Sequence, residues 1–177
     1  MRINHIRFAN ELHLDNIDSL TYMGLEKKAP KHFDVSDLIT IDWKNVLAAP
    51  PKNTSETTRY EMLYIQQVTK NLSPDEIDFV KTVDHETDTL FIEALGGRKF
   101  PEEEVNKLWR IVDDVIQMLK YQYDRPRPYH LAEWLGIPIN VMESDTHLTP
   151  AYPSGHTAYG AIGTYYLAAL YPELSTE

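Results

Sequence analysis

The stretch "FPEEEVNKLWRIVDDVIQMLKYQYDRPRP", residues 100–128, decides the fold. Val105, Leu108, Trp109, Val112, Val115, Ile116 and Leu119 recur at the three- and four-residue intervals of a single helix face. Pro101 and the glutamates at 102–104 suit a first turn, where negative charge meets the positive end of the helix dipole. Pro126 and Pro128 stop the helix. Lys120 falls at the edge of the apolar stripe, where a lysine can bury its stem and turn its head into a cleft. Lys120, Arg125 and Arg127 gather cations at this helix end, although the chain carries a formal charge of −10. No Lys or Arg follows Arg127.

Helical signals continue on both sides. "SPDE" at 73–76 predicts a helix start, with Ser73 as N-cap, Pro74 at the first position and Glu76 as capping-box partner. Ile77, Val80, Leu90, Phe91 and Ala94 extend that helix until Gly96-Gly97 ends it. Before it, Tyr60, Leu63, Tyr64, Val68 and Leu72 mark the apolar stripe of a helix that begins near Glu56. Residues 1–55 show no sustained period and read as an irregular arm with short helices, packed on the domain; "DLITIDW" at 37–43 has the look of a short strand. After Pro128 comes a loop with Gly136, Pro138 and Pro150. A last helix runs from "YPSGHTAYG" to Tyr171, and Pro172 ends it. The apolar-leaning segment 157–171 is shorter than the roughly 20 residues of a membrane span and reads as a buried core helix. The expected architecture is an all-α domain over 56–177, with the arm at 1–55.

Bulk composition narrows the function. The chain has 177 residues and no cysteine, which excludes disulfides and thiolate metal sites. An acidic balance argues against a general nucleic-acid binder, which needs a basic face for phosphates. The first residues lack the apolar core of a signal peptide, so a soluble, cytoplasmic location is expected.

One local cationic pocket for a small anion remains compatible with that balance. Lys120 and Arg127 sit at a helix end and just past its break, so both heads can reach one ligand. Arg offers a planar fork for two oxygens, and Lys a point charge. "PSGH" at 153–156 supplies complementary groups. Ser154 can cap the final helix and donate its hydroxyl, and Gly155 lets backbone approach a ligand. The helix N-terminus offers free N–H groups to an anion. His156 then stands beside the anion, in position for general acid work.

Lys120, six residues, then Arg127-Pro128 resembles the first motif of the type 2 phosphatidic acid phosphatase superfamily, and Pro153-Ser154-Gly155-His156 resembles its second. The superfamily includes lipid phosphate phosphatases, bacterial acid phosphatases and vanadium haloperoxidases. The resemblance implies an all-helical bundle and hydrolysis of a small phosphate ester without a metal ion. It implies that Lys120, Arg127, Ser154 and Gly155 bind phosphoryl oxygens and that His156 protonates the leaving alcohol. It also implies a second histidine as phosphoryl acceptor, or as the ligand of vanadate in a haloperoxidase. That histidine belongs to a third motif, a Ser-Arg pair followed by His and Asp, which the 177 residues do not contain. A fragment lacking the C-terminal helices of the bundle is therefore the expectation, beside a site completed from elsewhere or a non-catalytic phosphate-binding subunit. Lacking core helices would expose an apolar face and favour self-association into a homo-oligomer.

Other polar groups read more plainly. "DHETD" (Asp84, His85, Glu86, Asp88) places Asp84 and Asp88 on one helix face, and a solvated polar face is expected there rather than a metal site. His130 and His147 are near the motifs in sequence and are alternatives for contacting substrate or standing in for the missing histidine, but neither has the Arg and Asp spacing of the third motif. Arg125 is expected to pair with Asp124 or solvent. Ser154 is no serine-hydrolase nucleophile, because Tyr152 stands where the G-x-S-x-G elbow needs its first glycine. Tyr121, Tyr123, Tyr152, Tyr159, Tyr165 and Tyr166 are expected to pack.

Overall fold

The long helix of the sequence is present as α6, Glu102–Tyr123. Its first turn holds Glu102, Glu103 and Glu104, and Val105, Val115 and Leu119 are buried as the stripe predicts. Leu108 departs from the stripe at 40% exposure. Asp124 closes the helix in the left-handed conformation, φ 48°, with its N–H on the Lys120 carbonyl at 2.8 Å. The computed structural model describes residues 14–29, 41–142 and 144–174, and every regular element among them is helical. The chain is all-α to that extent.

Three helices precede α6 in the domain. These are α3 (Glu56–Lys70), α4 (Pro74–His85) and α5 (Asp88–Ala94). Before them come a 3-10 turn at Leu14–Ser19, α1 (Tyr22–Glu26) and α2 (Trp43–Val46). After α6 come α7 (Pro128–Leu135), a 3-10 turn at Asp145–Leu148 and α8 (Gly155–Leu170). The most extensive helix pairing is α6 with α8, and α3 packs on α7. Met62 of α3, Leu131 of α7 and Ile137 form a small buried cluster, flanked by Ala132, Leu135 and Ile139. The N-terminal segment is tied to the end of α6. Asp124 accepts from the Tyr22 N–H through its carbonyl at 3.0 Å and from the Met23 N–H through its carboxylate at 2.9 Å. No helix among the described residues is long and apolar enough to cross a membrane.

The capping box at Ser73 and Glu76 forms as predicted, but four readings are corrected. The helix begun at Ser73 does not run to Gly96. It breaks after His85 and restarts at Asp88, so "DHETD" is a junction between two helices and not one helix face. The region 129–152 is not simply a loop. Pro128 opens α7, and Gly136 ends it in the left-handed conformation, φ 63°. In α3 the predicted stripe faces outward: Tyr60 and Tyr64 are 70% and 69% exposed, whereas Thr58 and Met62 are buried. Thr58, Met62 and Ile65 share the same helical spacing, and the aliphatic surface of α7 selects them. Finally, α8 is not a buried helix. Only Gly163 in it is buried, and Tyr165 and Leu170 are exposed. Packing on α6 and on Phe91 of α5 covers one side; a Cβ at Gly163 would meet the Phe91 ring at 2.3 Å.

Of "DLITIDW", residues 37–40 lie outside the described residues, and Trp43 opens α2 instead of ending a strand.

Candidate functional site

A cavity of about 400 Å³ opens between α6, the α4–α5 junction, the 3-10 turn at Asp145–Leu148 and the start of α8. Lys120, Arg127, Ser154, Gly155 and His156 all line it. Residues up to 36 positions apart thus meet at one concave site, the usual setting for a ligand.

The two cations are held by backbone. Lys120 is 5% exposed, and its Nζ donates to the Pro150 carbonyl at 2.7 Å. Arg127 donates from Nε to the Thr149 carbonyl at 2.7 Å and from Nη2 to the Thr146 carbonyl at 3.3 Å. Among the described residues neither makes an ion pair. Their partners are neutral, so their positive charge stays available to an anion. Burial is the main force on both, lowering each below its ordinary range. Lys120 is pressed down to about 8, with Arg127 adding repulsion and Asp113 opposing.

The start of α8 faces the same space. The Ser154 Oγ accepts from the Thr157 N–H at 3.2 Å as the N-cap. The N–H groups of this first turn have no intrahelical acceptor and carry the positive end of the helix dipole. At Gly155 a Cβ would meet nothing closer than the Trp109 ring at 3.8 Å, so protein packing does not require glycine there.

The opposite wall was read differently from the sequence. Asp84, His85, Glu86 and Asp88 all line the cavity. Asp84 is not a solvated face: its carboxylate accepts from the Ser144 hydroxyl and, at 2.6 Å, from the Thr146 hydroxyl, and its side chain is 15% exposed. Asp88 accepts from the Tyr159 hydroxyl of α8. Burial and that carboxylate raise the Tyr159 phenol well above its usual range, so it stays a donor. Trp109 and Tyr159 meet edge to face at 5.3 Å and complete the wall. No group of carboxylates and histidines among the described residues is arranged to hold a metal ion.

The remaining histidines separate. His147 lines the cavity, its imidazole lowered by burial first and by Arg127 next. His130 does not line it; His130 pairs with Glu26 at 2.8 Å and accepts the Arg127 N–H at 3.3 Å, steadying the start of α7. Arg125 is corrected too: it pairs with Glu61 at 2.6 Å, because Asp124 is occupied by α1. The acid wall left no sequence signal beyond its composition, since it exists only where α4 breaks. Comparison of the chain with protein-family models, curated proteins and solved structures finds no significant match.

Proposed function

We propose that this cavity binds a phosphate monoester and that the chain belongs to a metal-independent phosphomonoester hydrolase. One observation carries the reading. A buried lysine and a half-buried arginine with only neutral partners, a helix N-terminus and a histidine all line one cavity. Preorganised donors of that kind stabilise charge on a transferring phosphoryl group without reorganising. Lys120 and Arg127 would take phosphoryl oxygens, helped by the Ser154 hydroxyl and the Gly155 N–H. His156 would hand a proton to the leaving alcohol. A vanadate ion has the shape and charge of phosphate, and the same four oxygen-binding residues would hold it. Bound there, it would supply peroxide activation in a haloperoxidase.

The phosphoryl acceptor is the open role. Besides His156, His85 and His147 are the imidazoles of this cavity. A half-buried imidazole with a lowered pKa keeps the lone pair that nucleophilic attack needs, which favours His147 for the chain taken alone. A second reading is phosphate binding without turnover, which needs only the cations and the helix N-terminus of this cavity.

Hydrolysis of an aryl phosphate by the chain and by His156→Ala tests the proposal. Activity that disappears in the variant supports the hydrolase. Full activity in the variant removes His156 from the mechanism. Inactivity of both, with heat released on titration of inorganic phosphate, selects the binding module. No heat with phosphate sinks both readings.

A further inference from the structure

His156 meets Asp84 where two helix ends come together. Because α4 stops at His85, the carbonyls of its last turn lack intrahelical donors, and the Asp84 carbonyl is one of them. His156 lies in the first turn of α8 and brings Nε2 to 3.2 Å from that oxygen. The same nitrogen stands 3.5 Å from the Asp84 Oδ1. A carbonyl oxygen only accepts, and so does an ionised carboxylate. Burial pulls the Asp84 carboxyl upward, yet the hydroxyls of Ser144 and Thr146, with His156 and His147, bring it below the usual carboxylate range. Both oxygens facing Nε2 are therefore acceptors, and the hydrogen belongs on Nε2. Nδ1 has no hydrogen-bond partner among the described residues.

We propose that Asp84 is the positioning residue of His156, holding the hydrogen on Nε2 through two oxygens and leaving Nδ1 to exchange a proton with ligand oxygen. The inference rests on reading the cavity as a phosphate-ester site. Asp84 also reaches the anion side. It accepts from the Thr146 hydroxyl, and the Thr146 carbonyl in turn accepts from Arg127. One carboxylate thereby sets the proton donor and steadies a phosphate-binding guanidinium. Arg127 from the start of α7 and His147 from the 3-10 turn act electrostatically on Asp84 or on each other, and His85, Glu86 and Asp88 share the cavity without a hydrogen bond to Nε2 among the described residues. Neither Arg127 nor His147 offers Nε2 a competing acceptor, since Arg127 has no acceptor atom and His147 makes no hydrogen bond to His156.

Nitrogen-15 spectra of the imidazoles in the full 177-residue chain, recorded above neutral pH, test this directly. Two-bond correlations distinguish Nε2–H from Nδ1–H, and His156→Gln identifies the signal. The wild-type chain is expected to hold His156 in the single Nε2–H form. Asp84→Ala removes Oδ1 but keeps the main-chain carbonyl of residue 84, so it should shift His156 part of the way toward the mixture of a free imidazole. Ser144→Ala loosens the turn but keeps both Asp84 oxygens, so the Nε2–H form should persist. An Nδ1–H form or a mixture in the wild-type chain overturns the proposal, whatever the variants do. An unchanged tautomer in a folded Asp84→Ala also overturns it. Phosphate titration of the same samples separates the two levels. Spectra blind to phosphate sink the phosphate-site reading while the tautomer result stands.

Discussion

On the wall that carries Lys120 and Arg127, charge meets backbone carbonyls; on the wall that carries Asp84 and Asp88, charge meets side-chain hydroxyls. The carbonyls of Thr146, Thr149 and Pro150 come from the path of the chain. The hydroxyls of Ser144, Thr146 and Tyr159 come from its residue types. Both partners are neutral, so neither wall consumes the charge of the other. On the cation wall Lys120 is buried at the end of α6 and Arg127 half-buried at the start of α7. The acid wall is a junction between helices, and its geometry depends on how α5 sits on α8. One cavity thus has a side whose charges are held by main-chain carbonyls and a side whose charges are held by side-chain hydroxyls.

The comparison breaks most directly at Arg127. Arg127→Ala removes a planar donor and leaves two carbonyls without it, so phosphate affinity should fall on the order of 100-fold, measured by calorimetry. A loss under threefold would mean that the cation wall does not face the ligand.

The next largest effect tests the foundation of the acid wall. Gly163→Ala places a Cβ 2.3 Å from the Phe91 ring and should cost about 1–3 kcal/mol in urea unfolding. Gly155→Ala meets only the Trp109 ring at 3.8 Å, so its stability should stay within about 0.5 kcal/mol of the parent. A methyl at 155 instead intrudes on the anion, and phosphate binding should weaken. Equal stability losses at the two glycines would erase the distinction between a packing glycine and a ligand-approach glycine.

Lys120 sharpens the comparison through pH. Folded Lys120 gives up its proton near 8, and the unfolded chain keeps it to about 10.5. Between these values the unfolded state binds more protons, so this group makes stability rise with pH. The burial cost is full below about 8 and gone above about 10.5. The slope from one group cannot exceed about 1.4 kcal/mol per pH unit. Lys120→Met should flatten the unfolding free energy across that window, and an unchanged slope would show that Lys120 is solvated. Phosphate affinity of the parent chain should fall over the same rise in pH, as the cation discharges.

The smallest effect belongs to Glu86, an exposed residue on the acid wall. Glu86→Gln removes a like charge from the approach of an anion and should tighten phosphate binding by about twofold at low salt, with the gain lost at high salt. Weakened binding in this variant would make the acid wall part of the ligand contact.

Much of the cation wall was legible in the sequence. The stripe of α6 placed Lys120 at its edge, the prolines placed Arg127 beyond its end, and Ser154 announced the start of α8. All of these are local signals, set by helix period and capping. The acid wall was not legible, because the break after His85 depends on tertiary packing and no proline or glycine marks it. Read as a continuous helix, Asp84 and Asp88 belong to a solvated face; read across a junction, they enter the cavity. The outward turn of Tyr60 and Tyr64 was missed for a similar reason. Two stripes in α3 satisfy the same period, and only the surface of α7 chooses between them. Similarly, the apolar composition of α8 gave no warning that one side lies open.

The 144–150 segment serves the cations through its main chain, and main chain is the same for every residue type. Leu148 gives its carbonyl to the Lys28 ammonium at 3.3 Å while its own side chain is 63% exposed. Such a position can drift in sequence without disturbing the bond it makes. A saturation library scored for phosphate retention should therefore find Leu148 permissive to most replacements, proline aside, while the hydroxyl positions Ser144 and Thr146 tolerate few.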